Sequence, residues 1–248
     1  MAAGTVRLLV ATQSAMWSAA ERSLYATWLT ASENDRLAQM QSPARREEFI
    51  ACRYALRLLL AGHPEQITQW PLEAPAGQAP QSVRSDLHLS LSHSHGYIAC
   101  AVASQPVGVD IEALARKPRS ALHELAELAC TPQEREQLNA IADEQQRHLQ
   151  FMQWWSLKEA WFKRAGTGVD FALLPRLECR KQSGDLVQSS LECDSSNAEH
   201  ARSWLAKTPS EQSVVLSVCL PVQVMVCELR DEARLDWSDA GAFALALA

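Results

Sequence analysis

Two carboxylates set two residues apart are the first candidates for chemistry in this sequence. Asp110 and Glu112 lie in the segment VGVDIE, where Val109 and Ile111 alternate with them. In a β-strand this spacing places both carboxylates on one face and the aliphatic side chains in the core, with Gly108 leaving open space beside the carboxylates. Paired carboxylates repel each other unless a cation lies between them, and such oxygen ligands suit Mg²⁺. The alternative for an isolated D-x-E is surface decoration at the end of a strand.

A second group of charges lies in the aromatic segment WWSLKEAWFKRA at residues 154–165. On a helical wheel its large side chains form one apolar arc that includes Lys158, while Glu159 and Lys163 lie one turn apart at the edge of the arc. Glu159 could supply a third metal-binding carboxylate, and the two lysines would then suit a polyphosphate substrate. The alternative is that Lys158 extends along the aromatic rings to water, while Glu159 and Lys163 form an ordinary helical ion pair.

A third candidate is Ser92-His93-Ser94, which we place at a turn with Gly96 between two strands. Its hydroxyls and the exposed backbone amides could hold an anionic oxygen, because no large side chain lies in the way. The alternative is an ordinary surface turn. A nucleophilic Ser-His-Asp site is a poor match, since the sequence has no G-x-S-x-G turn.

The elements that must position these residues follow from periodicity and turn signals. We predict helical periodicity over 17–40 with Ser32 as a cap, and a long amphipathic helix over 44–61 bounded by a proline and a glycine. Thr131 and Glu134 form a capping box ahead of the aromatic helix. The predicted strands are 5–11, 87–92, 97–103 and 107–112, the last completing a hairpin. In the C-terminal part we predict strands at 171–181 and 186–194, and we expect 214–229 to supply two strands of an antiparallel sheet. The apolar tail that follows is uninformative.

Composition excludes several classes of protein. With 248 residues and 47% hydrophobic content, the chain can bury a large core as one domain or two halves. Its net charge of −6 argues against a nucleic-acid binder that works by neutralising phosphates. The seven cysteines are spread without zinc-ligand spacing, so we expect reduced core residues. The N-terminus does not resemble a signal peptide and no apolar run is long enough to span a membrane, so we expect a cytoplasmic protein without membrane contact.

The order of the motifs resembles that of one known family. R-x-x-x-F-x-x-x-R, S-H-S, P-V-G-V-D-I-E and W-S-L-K-E-A-x-x-K follow one another as in the surfactin-synthetase-type 4′-phosphopantetheinyl transferases. The resemblance implies an α+β fold with pseudo-twofold symmetry, in which each half is a long helix packed on a small antiparallel sheet. The halves would be residues 1–106 and 107–248, with coenzyme A in the cleft between them and a monomer as the expected state.

The same resemblance implies a reaction and a set of site residues. The reaction is the Mg²⁺-dependent transfer of 4′-phosphopantetheine from coenzyme A to a serine of an apo acyl or peptidyl carrier protein, with release of adenosine 3′,5′-bisphosphate. Asp110, Glu112 and Glu159 match the magnesium ligands, and Glu159 also matches the residue that deprotonates the serine. The remaining matches are to coenzyme A contacts: Lys163 and its basic partner Lys158 at the pyrophosphate, Ser92, His93 and Arg53 at the 3′-phosphate and pyrophosphate, and, more loosely, Arg46.

The sequence departs from the family pattern at two places. The family's Gly-Lys-Pro near the adenine corresponds to residues 77–80, where Gln78 replaces the lysine and one residue is inserted. Before Ser-His-Ser the family often has Phe-Asn, whereas this chain has Leu-Ser, with Ser90 in place of the asparagine. After Lys163, the resemblance implies a carrier-binding patch that would include Phe171, Leu173 and Leu174, although these residues could equally belong to the core.

Two other functions remain open at this stage. A non-catalytic module that binds coenzyme A or a nucleotide would be expected to lack a metal-binding carboxylate, and all three are present. A magnesium-dependent pyrophosphohydrolase would use water in place of the serine. The order of the motifs favours the transferase, acting in primary metabolism such as fatty acid biosynthesis or in secondary metabolism.

Overall fold

Two β-sheets, each covered by one long helix, form the framework of the fold. The computed structural model describes residues 5–75, 78–114, 122–182, 199–221 and 226–247. The first half contains β1 (Thr5–Thr12), α1 (Gln13–Arg22), α2 (Ala31–Ala38), α3 (Pro43–Ala61), β2 (Leu72–Glu73), β3 (Gln81–Ser82), β4 (His88–Ser94) and β5 (Tyr97–Ala103). The second contains β6 (Gly108–Ala113), α4 (Leu122–Ala129), α5 (Pro132–Ala140), α6 (Glu144–Ala165), β7 (Leu177–Lys181), β8 (Glu199–Lys207), β9 (Ser213–Leu220), β10 (Val226–Asp231) and β11 (Asp236–Leu247).

The layers follow the order α3, first sheet, second sheet, α6. The first sheet has the strand order β10-β1-β5-β4, and the second has the order β6-β9-β8-β11-β7. One apolar cluster lies under α3, another lies under α6, and a third fills the space between the sheets. The prediction of an α+β fold with two subdomains is therefore confirmed.

The long helices begin and end where local signals require. Pro43 lies in the first turn of α3, and Gly62 follows its last residue with φ at 79°, so the predicted helix and its bounds are confirmed. The side chain of Asp143 caps the start of α6, and Gly166 ends it in the left-handed conformation with φ at 71°. The predicted capping box of Thr131 and Glu134 is present at the start of α5.

Gly108 sets the distance between β6 and α6. A Cβ atom at this position would lie 1.8 Å from the carbonyl oxygen of Ala160, a separation that no side chain could tolerate. The expectation that Gly108 leaves open space beside the carboxylates is therefore wrong, because the backbone of α6 fills that space. The close approach places Asp110 and Glu112 next to the helix that carries Glu159.

Several predicted elements differ in the structure. The strand β6 pairs with β9 rather than completing a hairpin with β5, because Val109 and Ile111 bury their side chains between the two sheets. The strand β10 pairs in parallel with β1, so the segment 214–229 does not supply two strands of one antiparallel sheet, and a strand from beyond residue 106 joins the N-terminal sheet. Thr30, rather than Ser32, caps α2.

The C-terminal tail adds a strand to the second sheet. This apolar tail forms β11, which lies between β8 and β7 and was not predicted. The predicted strand at 186–194 and Gly77 lie outside the described residues. The six cysteines that the structure describes are all free, and five of them are buried, as the interpretation of reduced core residues requires. Among the described helices, none is both long and apolar enough to cross a membrane.

Candidate active site

The carboxylates of β6 meet the charged edge of α6 where the two halves join. Asp110 is 2% exposed, and its Oδ1 accepts hydrogen bonds from the Ser92 hydroxyl at 2.8 Å and from Lys163 Nζ at 2.6 Å. Lys163 Nζ also lies 3.5 Å from Glu159 Oε2. The Ser94 hydroxyl donates to Glu112 Oε2 at 2.8 Å. The structure thus brings together residues from three motifs that are separated by up to about 70 positions in the sequence.

Negative charge is in excess at this cluster. Burial, followed by the charge of Asp110, raises the pKa of Glu112 to about 7. Burial and the same aspartate also raise the pKa of Glu159 above its ordinary value. Burial has the largest single effect on Lys163 and would lower its pKa, but the charge of Asp110, the hydrogen bond to it and the charges of Glu159 and Glu112 together outweigh burial and raise that pKa. One lysine therefore does not balance the three carboxylates, and the site has the electrostatics of a cation-binding site.

The donor chemistry fits a hard divalent cation. Asp110 Oδ2 is buried and has no hydrogen-bond partner, although a buried carboxylate oxygen is costly to leave unsatisfied. Carboxylate oxygens are the protein ligands that Mg²⁺ prefers. Within the ranges that the structure describes, no three His, Cys, Asp or Glu side chains are arranged closely enough to form a metal site as they stand. The Lys163 ammonium instead provides the positive charge beside Asp110.

A cavity of about 620 Å³ opens beside Lys163 between the two halves. The loop that precedes β4 forms one wall and the last turn of α6 forms the other, and Gln78 and Lys163 both line the cavity. Two further cations, Arg84 and Arg164, also line the cavity and were missed in the sequence. The position of Arg164 directly after Lys163 in the aromatic helix is a signal that could have indicated it. Arg84 lies in a loop without periodicity, so the sequence does not indicate where its side chain points.

Lys158 does not belong to this site. Its side chain is fully buried, and its Nζ donates to Glu134 Oε2 at 2.6 Å and to the carbonyl oxygens of Ala129 at 2.6 Å and Leu174 at 3.3 Å. The assignment of Lys158 to the pyrophosphate is therefore wrong, and so is the alternative that it extends to water. Its charge is neutralised inside the C-terminal half by the glutamate of the capping box.

Arg53 is also engaged away from the cavity. It is 3% exposed, its Nε lies 3.4 Å from Glu33 Oε1, and its guanidinium lies 4.6 Å from the centre of the Phe49 ring. Burial lowers the pKa of Arg53 to about 10. Arg57 shares the same glutamate at 2.5 Å. In this arrangement Arg53 stabilises the packing of α3 on α2 and does not line the cavity as a phosphate ligand would.

Arg46 and His93 likewise have other partners. Arg46 donates to the carbonyl oxygen of Leu37 at 2.9 Å, near the end of α2. His93 lies on the face of β4 opposite to Ser92, and its Nδ1 is 3.5 Å from Glu48 Oε2 of α3. Neither residue is among those that line the cavity. Of the phosphate contacts that the resemblance implies, the structure therefore places Ser92 and Lys163 at the carboxylate cluster and the others elsewhere.

The apolar residues that follow α6 divide between core and surface. Leu174 is fully buried beside the Lys158 ammonium, so it is a core residue and not part of a docking patch. Leu173 packs against the same core while remaining partly exposed. Phe171 is 64% exposed. Of the three residues, Phe171 is the one that offers a large apolar surface to a partner.

The raised pKa of Glu112 leads to a prediction for the metal-free protein. A carboxyl group with a pKa of about 7 in the folded state costs stability as the pH rises from its ordinary value of 4.5 through 7. We therefore expect Glu112→Gln to raise the free energy of unfolding by about 1–2 kcal/mol at pH 8, and by little at pH 4.5, since each pKa unit corresponds to about 1.4 kcal/mol and partial exposure weakens the effect. Denaturant titrations in EDTA measure this difference, and a stabilisation that does not change with pH would contradict it.

Comparisons with known proteins point to one family. Residues 106–219 match the 4′-phosphopantetheinyl transferase superfamily, and residues 33–103 match the 4′-phosphopantetheinyl transferase N-terminal domain. Together the two matches cover about three quarters of the chain. They include Asp110, Glu112, Glu159 and Lys163 in the first match and Ser92 in the second.

Individual relatives carry the same description. The 4′-phosphopantetheinyl transferase HetI of Nostoc sp. is 32% identical over 150 residues, which are 58% of this chain and 62% of the relative. A 4′-phosphopantetheinyl transferase of Bacillus subtilis is 39% identical over 88 residues, or 36% of this chain and 37% of the relative. The transferase Sfp of Bacillus subtilis strain 168 is 36% identical over 88 residues, again 36% of this chain and 37% of the relative. The matched region spans less than two thirds of the length of these relatives.

Proposed function

Because this chain belongs to the 4′-phosphopantetheinyl transferase superfamily, we propose that it transfers the 4′-phosphopantetheine group of coenzyme A to a serine of an apo acyl or peptidyl carrier protein. The observation that carries the proposal is the cluster of Asp110, Glu112, Glu159 and Lys163 at the edge of a cavity between the two halves. Phosphoryl transfer depends mainly on positioning and charge neutralisation, and this cluster supplies both kinds of charge.

Lys163 is the residue that we assign to the pyrophosphate of coenzyme A. Its side chain is 29% exposed, it lines the cavity, and its ammonium is already among the carboxylates. A phosphate oxygen that enters the cavity can replace Asp110 as the partner of Nζ, because both are anionic acceptors. Asp110 Oδ1 would then lose its bond to Lys163 and be available as a ligand of the proposed metal ion.

Glu159 is the residue that we assign to proton transfer. Its raised pKa makes it a better base than an exposed glutamate. The carrier serine oxygen forms a bond to the β-phosphorus, its proton passes to a carboxylate oxygen of Glu159, and the bond from that phosphorus to the bridging oxygen breaks, releasing adenosine 3′,5′-bisphosphate. The proposed Mg²⁺, with Asp110, Glu112 and Glu159 as its protein ligands, would neutralise the developing charge on the pyrophosphate.

We also propose an oligomeric state, a carrier-binding surface and a cellular location. Both walls of the cavity come from one chain, so a monomer suffices for the reaction. Phe171, exposed beyond the end of α6, is the part of the surface that we assign to the carrier protein. We expect the reaction to occur in the cytoplasm and to serve carriers of primary or secondary metabolism, including fatty acid biosynthesis.

Product analysis separates this function from the two alternatives. The protein is incubated with coenzyme A and Mg²⁺, with and without an apo carrier protein, and nucleotides are separated by chromatography. We expect adenosine 3′,5′-bisphosphate only when the carrier is present. Its release without a carrier would instead indicate a pyrophosphohydrolase, and no release with bound coenzyme A would indicate a binding module.

Lys163→Ala tests the assignment to the pyrophosphate. A hydrogen bond to a charged group contributes about 1.5–3 kcal/mol, so we expect the KM for coenzyme A to rise by about 10- to 100-fold. Steady-state kinetics at saturating carrier protein measure this change. Lys181→Ala is the matched control, because Lys181 is exposed on β7 and does not line the cavity. An unchanged KM in the Lys163 variant would contradict the assignment.

A further inference from the structure

The two sheets meet at strands that do not pair with each other. The strand β4 is the last of the first sheet and β6 is the first of the second, and the backbone of β4 pairs with β5 while that of β6 pairs with β9. An edge strand leaves backbone groups that need other partners. Side chains of β4 supply them here.

Alternate serines of β4 make these contacts. Ser90 accepts the backbone N–H of Val109 at 2.9 Å. Ser92 donates to Asp110 Oδ1 at 2.8 Å, and Ser94 donates to Glu112 Oε2 at 2.8 Å. Ser94 also accepts the backbone N–H of Ala113 at 3.4 Å. Successive serines are two residues apart, which is the side-chain repeat of a β-strand, so all three lie on the face of β4 that contacts β6. Ser90, which departs from the family pattern, therefore has a structural partner.

Each serine hydroxyl has only one proton to donate. Ser92 uses it for Asp110, and its oxygen accepts from Lys163 Nζ at 2.8 Å. Ser92 therefore cannot also donate to a phosphate oxygen without releasing Asp110. Ser94 uses its proton for Glu112 in the same way. The bond to one oxygen fixes the orientation of each carboxylate, and the second oxygen of Asp110 is left without a partner.

We propose that Ser92 and Ser94 are positioning residues, whose hydroxyls orient Asp110 and Glu112 for a divalent cation, whereas Ser90 joins the two strands without contacting either carboxylate. This inference rests on the metal site of the proposed function. Partners that orient metal ligands in this way commonly contribute 10- to 100-fold to metal affinity. Ser90 and Ser94 both accept a backbone N–H of β6, but of the two it is Ser94 that also donates to a carboxylate, so they form a matched pair of variants.

The test is direct binding of Mn²⁺, used alone as a paramagnetic probe and followed by the electron paramagnetic resonance signal of the free ion. The full chain is used at pH 8. We expect Ser94→Ala to raise the Kd for Mn²⁺ about tenfold, and Ser94→Thr, which keeps the hydroxyl, to restore most of the affinity. Ser90→Ala should lower the melting temperature, because Val109 N–H loses its acceptor, but should leave the Kd unchanged.

The outcomes separate this inference from the proposed function. Wild-type affinity in the Ser94→Ala variant would overturn the positioning role. An equal loss in Ser90→Ala would also overturn it, because the serines would then act only by holding the strands together. If the wild-type protein binds no Mn²⁺, the metal site and this inference both fail, whereas transfer to a carrier protein is measured separately by its product.

Discussion

Replacing Glu159 with glutamine is expected to lower the rate of phosphopantetheine transfer by at least about a thousandfold, with no loss of stability. General-base catalysis contributes about 10²- to 10⁴-fold, and the substitution also removes a ligand charge from the proposed metal site. The folded state should tolerate the change well, since burial and Asp110 already raise the pKa of Glu159 and make its ionised form costly. Single-turnover rates at saturating coenzyme A and carrier protein measure the effect on the chemical step.

A control substitution on the same helix tests whether the loss of activity depends on where the glutamate lies. Glu144 is exposed in the first turn of α6, far along the helix from Glu159, so Glu144→Gln removes the same charge without changing the site. We expect this variant to transfer at close to the wild-type rate. Turnover at the wild-type rate in the Glu159 variant would contradict both roles that we assign to this carboxylate.

Replacing Lys158 with alanine is expected to destabilise the protein by about 3–5 kcal/mol, because it leaves the carboxylate of Glu134 buried without its cation. Both side chains of the pair are almost inaccessible to solvent, at 0% and 2% exposed. Such a loss is a large part of the stability of an ordinary domain, so much of the variant would be unfolded. Urea titrations followed by circular dichroism measure the difference.

A double variant tests whether Lys158 contributes to stability or to catalysis. Glu134→Gln combined with Lys158→Met removes both charges, keeps a long side chain at each position, and should recover more than half of the lost stability. Because we assign no substrate contact to Lys158, this double variant should transfer at a rate close to that of the wild type. A stable Lys158→Ala protein with a raised KM for coenzyme A would instead restore Lys158 to the phosphate site.

The sequence predicts the residues that we assign to the reaction better than the residues that support them. Asp110 and Glu112 share a face because of the period of a strand, and Glu159 and Lys163 share one because of the helical period, so local geometry determines each pair. The partners of Lys158 and Arg53 cannot be found in this way. Glu134 lies 24 positions before Lys158, and its role as a helix cap gives no sign that it also neutralises a buried lysine.

Long-range strand pairing limits the prediction of the fold in a similar way. Period and turn signals locate α3 and β1, but nothing local shows that β10 returns to pair in parallel with β1. The strand β6 also joins a different sheet from the strands that precede it in the sequence. Consequently the sequence does not predict the contact between β4 and β6, through which the serines reach the carboxylates.

Intact-mass spectrometry of an apo carrier protein tests the central claim most directly. The carrier is incubated with this protein, coenzyme A and Mg²⁺, alongside a reaction in EDTA and a carrier whose acceptor serine is replaced by alanine. We predict that the carrier gains the mass of one phosphopantetheine group, and that neither control does. No mass gain on any of several acyl and peptidyl carriers, with coenzyme A bound by the protein, would contradict the transferase function.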